Sequence, residues 1–174
     1  MIRTMYHTQE HRVEVLASPC ICVRDDAWLG IGYYFWYYKE DADSWGTLSK
    51  RNTGAYEIYE TTIDCENVLD TVFDEKAYKW WIKQIEKTAM KIIKATGKKP
   101  TLKELNDFFR DKGIWQSIEG IMFQDLANKY DHLMVKPIEY SKRTQPFAYK
   151  KRIQLAVYQL DIVRTFELNC IENC

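Results

Sequence analysis

Two side chains in this 174-residue chain, His7 and Tyr34, sit in settings suited to holding or acting on a ligand, and a polar Gln154 stands in a late apolar strand. An imidazole both donates and accepts hydrogen bonds, although a single histidine in a strand often serves only its neighbours. Tyr34 belongs to Leu29-Gly30-Ile31-Gly32-Tyr33-Tyr34-Phe35-Trp36. Glycines inside a strand mark a bulge or a place where a ligand or another backbone comes close. A tyrosine two residues past such a glycine can lie flat against a planar group, and the same aromatic run also suits a core. Gln154 interrupts the apolar segment Arg152-Ile153-Gln154-Leu155-Ala156-Val157. Its amide can orient a hydroxyl but carries no charge and cannot act as a base. Residues 141–152 add Lys142, Arg143, Phe147, Tyr149, Lys150, Lys151 and Arg152, a basic and aromatic mixture. Such a stretch suits a nucleic acid or an acidic protein surface, and equally an ordinary solvated loop.

The elements that must carry these residues are read from periodicity and stop signals. Residues 2–7, 13–22, 28–38 and 56–63 read as strands, with a break at Ser18-Pro19 in the second. A short helix over residues 39–48 should close near Gly46. Asp74 can cap a helix with Tyr78, Trp81, Ile82, Ile85, Ala89, Ile92 and Ile93 at three-and-four spacing, ended by Gly97. Thr101-x-x-Glu104 is a capping box for a second helix that places Leu102, Leu105, Phe108 and Phe109 on one face and stops at Gly113. These two helices look like cover for a sheet, not a helix-turn-helix, since no recognition helix follows. A third helix is expected over residues 118–130, and a strand over residues 153–157 with Ile153, Leu155 and Val157 on one face. Strands, then helices, then strands predict an α+β fold in one domain spanning residues 1–174, with a helical insertion at about 74–130.

Composition narrows the classes. Hydrophobic residues at 46% and charged residues at 29% fit a globular chain, and the formal net charge of zero argues against a surface built mainly to neutralise phosphates. Nothing resembles a signal peptide or a bilayer-spanning run, so a cytoplasmic protein without membrane attachment is expected. Five cysteines fit reduced thiols. Cys20-x-Cys22 and the pair Cys170 and Cys174 have no feature that would join them as a zinc set, so no metal is expected.

The order Tyr6-His7-Thr8, then Gly30-Ile31-Gly32-Tyr33-Tyr34-Phe35, then a late strand with Gln154 resembles the ADP-ribosyltransferase superfamily. The resemblance is to its diphtheria-toxin-like branch, which includes poly-ADP-ribose polymerases and small bacterial and phage proteins. It implies a split β-sandwich and the use of NAD as a substrate. In that reading His7 bonds a ribose hydroxyl, Tyr34 stacks on the nicotinamide, and the backbone of Thr8 holds the carboxamide. Tyr6 and Gly32 complete the nucleotide-binding set, and Gln154 stands where the third motif residue meets the nicotinamide ribose. Arg24, beside Asp25 and Asp26, would face a pyrophosphate.

Two departures shape the expected activity. Thr8 replaces the usual glycine after the histidine, and Gln154 replaces a glutamate. The resemblance therefore implies mono-transfer of ADP-ribose to a protein or nucleic-acid acceptor, or slow NAD hydrolysis, instead of chain elongation. A toxin or defence effector, with an antitoxin partner, fits that activity. The alternative is a module that binds NAD or ADP-ribose without turnover; a third reading is an interaction domain with no NAD site. If Gln154 lay far from His7 and Tyr34, another acidic residue such as Glu139 would be the candidate, or the enzyme reading would fail.

Overall fold

The computed structural model describes residues 1–49, 53–125 and 152–173. The elements are β1 (Ile2–Glu10), β2 (Tyr33–Trp36), α1 (Lys39–Ser49), β3 (Ala55–Asp64) and β4 (Val68–Asp70), then α2 (Glu75–Thr96), α3 (Leu102–Asp111), β5 (Gly120–Asp125), β6 (Arg152–Val157) and β7 (Val163–Asn173). The chain is thus α+β, with strands bonded in the order β4-β5-β6-β2-β1-β3-β7. Every pairing is antiparallel except β4 with β5. The sheet narrows at its middle: β1 and β2 share one register pair, Tyr6 with Trp36, whereas β1 and β3 share nine.

Both faces of the sheet are covered. Met5, Phe35, Ile63, Met122, Ile153, Leu155 and Val157 form one apolar layer. On the opposite face Ala156 and Ile121 pack under Trp81 of α2 and Leu105 and Phe109 of α3, and Trp36 and Ile58 pack under Ala42 of α1. The alternation expected for β6 is present, with Gln154 and Ala156 turned to the helical side. The helical signals also hold. The Asp74 side chain accepts from the N–H groups of Lys76 and Ala77, Gly97 ends α2 in the left-handed region at φ 72°, and Thr101 and Glu104 close a full capping box.

Four expectations are corrected. Residues 13–22 form no strand; only Cys22 makes an isolated bridge, to Gly32. In the run 28–38 only Tyr33–Trp36 is strand, because a turn closes from Gly30 N–H to the Ala27 carbonyl at 2.8 Å and Gly30 takes φ 99°. Gly46 does not close α1, which continues to Ser49; the glycine is there because a Cβ would run into the ring of Tyr56. In place of a helix from residue 118, Gly120–Asp125 is strand β5. Ile121 and Met122 are both fully buried, on opposite faces of the sheet, and a strand buried on both faces has the continuous apolar pattern of a buried helix. Residues 126–130, the basic stretch up to Lys151, Glu139 and Cys174 lie outside the described residues. Among the described residues, no helix is long and apolar enough to cross a membrane.

Candidate functional site

The site begins where β1 and β2 part. The β1–β3 ladder is bracketed by Cys65 N–H to Met1 C=O at 2.7 Å and His11 N–H to Ala55 C=O at 3.1 Å. The register between them is continuous. Odd-numbered residues of β1 therefore bond β3, and the even-numbered Tyr6 and Thr8 turn N–H and C=O toward β2. Tyr6 meets Trp36 there. Continued pairing would set Thr8 against Tyr34, but the strands have already separated. The Tyr34 carbonyl instead accepts a hydrogen bond from His7 Nδ1 at 2.9 Å. The fork thus leaves the backbone polar groups of Thr8 directed into the gap.

A cavity of about 450 Å³ occupies this fork. That volume lies within the range of small-molecule sites. His7, Thr8, Tyr34 and Gln154 line it together with Trp28, Trp36 and Trp45, and residues 20–24 form the facing wall. Neighbouring strands explain the convergence: β6, β2 and β1 are adjacent, and Gln154 stands opposite Trp36 in register. Tyr6 and Gly32 are not part of the lining. Tyr6 packs beside the apolar cluster under α1, and Gly32 is required because a Cβ there would come within 2.7 Å of the Val157 carbonyl.

Each lining group is held in a definite state. His7 is buried between the rings of Phe35 and Phe166, at centroid distances of 5.6 and 5.9 Å. A carbonyl can only accept, so Nδ1 carries the proton, and Nε2 is the acceptor for Cys20 N–H at a long 3.4 Å. Thr8 is not an obstruction: its hydroxyl turns into α1 and donates to the Ala42 carbonyl at 2.9 Å.

Tyr34 donates its hydroxyl to the Gly30 carbonyl at 2.8 Å and accepts from Leu29 N–H at 3.1 Å. Burial pushes that phenol well above its ordinary pKa, so it stays neutral. The segment that pins it is itself anchored. Asp107 of α3 accepts from Ile31 N–H at 2.9 Å, and Arg110 donates to the Ile31 carbonyl. Arg110 also lies over Tyr158 at 4.2 Å, and the Tyr158 hydroxyl donates to the Leu29 carbonyl at 2.8 Å. The helical insertion therefore fixes the glycine loop, and the loop fixes the tyrosine.

Gln154 is 8% exposed and accepts from the indole N–H of Trp28 at 3.1 Å. Arg24 also lines the cavity, where its guanidinium grips Asp26 in a bidentate pair at 2.8 and 2.6 Å. Asp26 is the acidic side chain in the lining among the described residues, and this pair already engages it. Of the basic stretch read from the sequence, Arg152 is described; its guanidinium stacks over Trp36 at 5.0 Å. Sequence reasoning missed Trp28, Trp36 and Trp45 as lining, and Asp107 and Arg110 as supports. The density of tryptophan was visible, but nothing local separates a lining indole from a core one.

No family model matches this chain, and no curated protein or solved structure is significantly similar to it.

Proposed function

We propose that the chain is an ADP-ribosyltransferase-like protein that binds NAD at the β1–β2 fork and transfers a single ADP-ribose to a protein or nucleic-acid acceptor. The observation that carries this reading is the meeting of His7, the Thr8 backbone, Tyr34 and Gln154 in one cavity, although Gln154 lies far along the chain from the others. The fork with its free-facing Thr8 amide and carbonyl suits a carboxamide, which needs one acceptor and one donor. The fixed Tyr34 ring offers a face for the nicotinamide. His7 Nε2 has its lone pair toward the cavity and would accept from a ribose hydroxyl, displacing its long contact with Cys20.

In the reaction the bond between the ribose anomeric carbon and the nicotinamide nitrogen breaks, and the electron pair leaves with neutral nicotinamide. The acceptor nucleophile then bonds to the anomeric carbon and releases its proton. Positive charge builds on the sugar, so orientation of the ribose matters more than acid catalysis. The seven strands form one bonded sheet, and its narrowing to one rung between β1 and β2 is the feature that suits the superfamily's split β-sandwich.

A second reading, binding of NAD or ADP-ribose without turnover, is favoured by one observation: a neutral amide occupies position 154 and Asp26 is already paired. The experiment that separates the two supplies NAD labelled in the nicotinamide, with whole-cell lysate as acceptor source. The transferase reading expects nicotinamide release that His7→Ala removes. Thermal stabilisation by NAD without release establishes the binding reading. Neither release nor stabilisation overturns both.

A further inference from the structure

We propose that Trp28 is a positioning residue for Gln154: by holding the amide oxygen, it leaves residue 154 to meet the ligand through N–H donors alone. The proposal rests on the reading of the cavity as a nicotinamide-ribose site. The geometry behind it is local. An indole N–H can only donate, so the amide atom 3.1 Å away is the oxygen, and the NH2 group is the part left for a ligand. The indole itself has little freedom. Its ring meets Phe123 of β5 edge-on at 5.1 Å, Phe123 in turn packs on Trp81 at 5.0 Å, and the adjoining backbone is the turn from Ala27 to Gly30.

The chemical consequence concerns the ribose. A hydroxyl that meets Gln154 must accept, so its own proton has to go to another acceptor, such as the Thr8 carbonyl or His7 Nε2 at the fork. Residue 154 then orients the sugar without drawing charge from it. A glutamate at this position would keep one oxygen on Trp28 and turn a second, charged oxygen toward the ribose. Trp28 thereby decides what either residue can offer.

The first test needs no activity. The chain has six tryptophans, and Trp28→Phe identifies the Trp28 indole N–H signal in an NMR spectrum by its loss. Gln154→Ala must move that signal and speed its exchange with solvent; an unmoved signal overturns the proposal whatever the protein does with NAD. The second test is kinetic. Trp28→Phe keeps a ring in place, and it should lower kcat for nicotinamide release about tenfold, the worth of one hydrogen bond, with little change in KM. Trp28→His, which retains a ring N–H, should recover part of the loss. Gln154→Glu should raise release in the Trp28 protein and fail to do so beside Trp28→Phe. Equal losses in kcat and folding stability, with no recovery by histidine, mean that Trp28 serves packing only. Wild-type protein that neither binds NAD nor releases nicotinamide defeats the functional reading, and the indole test then decides the Trp28–Gln154 pairing by itself.

Discussion

The two walls of the cavity are built by different means. On the sheet side, the β2–β6 register sets the spacing of Tyr34 and Gln154, and His7, past the single β1–β2 rung, is tied to the Tyr34 carbonyl by its ring. On the loop side, the segment from His11 to Cys22 has no ladder of its own and hangs on a few side-chain bonds. The buried carboxylate of Glu57 accepts from Arg12 N–H at 3.1 Å and bonds the His11 ring at 2.9 Å. It also takes the Tyr59 hydroxyl, which in turn accepts from Leu16 N–H at 3.0 Å. Cys22 closes the segment through its bridge to Gly32. A wall made of register resists change everywhere at once. A wall made of contacts fails when one polar group does.

The sharpest way to break that contrast is on the sheet side. Tyr34→Ala removes the proposed stacking face and the hydroxyl that ties the glycine loop, and should lower nicotinamide release about a hundredfold or more, the scale on which misplaced substrates are felt. Tyr34→Phe keeps the face and should retain much of the NAD affinity. Equal affinity for NAD in the alanine protein would remove the ring from the site.

The loop wall should show itself through pH. Burial alone raises the Glu57 carboxyl, but the bonds from Tyr59, the Arg12 amide and His11 outweigh it and hold the group below its ordinary pKa. A carboxyl depressed in the folded state gives stability that is fully present above its unfolded value of about 4.5 and fades as pH falls through the folded value. Glu57→Gln should therefore cost roughly 1–3 kcal/mol at neutral pH, where partners are left unsatisfied, and less as the pH drops below that window. Thermal melts from pH 7 to 3 measure this; a constant deficit across the range would show that the charge is not what holds the loop.

The smallest effect is expected at Thr8. Thr8→Ala loses the bond to the Ala42 carbonyl and should cost about 1 kcal/mol in denaturant unfolding. Because the backbone of residue 8 is what faces the fork, nicotinamide release should persist. Its loss would mean that the hydroxyl, not the backbone, serves the ligand.

What could be read from the sequence follows from how local each signal is. The caps of α2 and α3 are written within a few residues of each other, at Asp74, Gly97, Thr101 and Glu104, and needed nothing distant. The placement of His7, Tyr34 and Gln154 in one cavity was expected from the family resemblance alone, because no local signal says that β6 will lie beside β2. Strand β5 was not, since Ile121 and Met122 are buried on opposite faces and show no period. Nor was the 13–22 loop, whose fixing groups are Glu57 and Tyr59 on another strand. Trp28 was beyond local reading altogether, because its partner is 126 residues away.

That separation has a consequence for the birth of the protein. Strand β2 sits between β1, made just before it, and β6, which emerges more than a hundred residues later. Closing so long a loop is slow and entropically costly, and the reward comes only when β6 docks. Until then β2 has one rung to β1 and an open edge, and residue 154 does not yet exist beside Tyr34. β1 and β3 can pair without β6, but the cavity lacks its β6 side until residues 152–157 dock. A chain whose β6 has not docked therefore has no cavity that Gln154 lines.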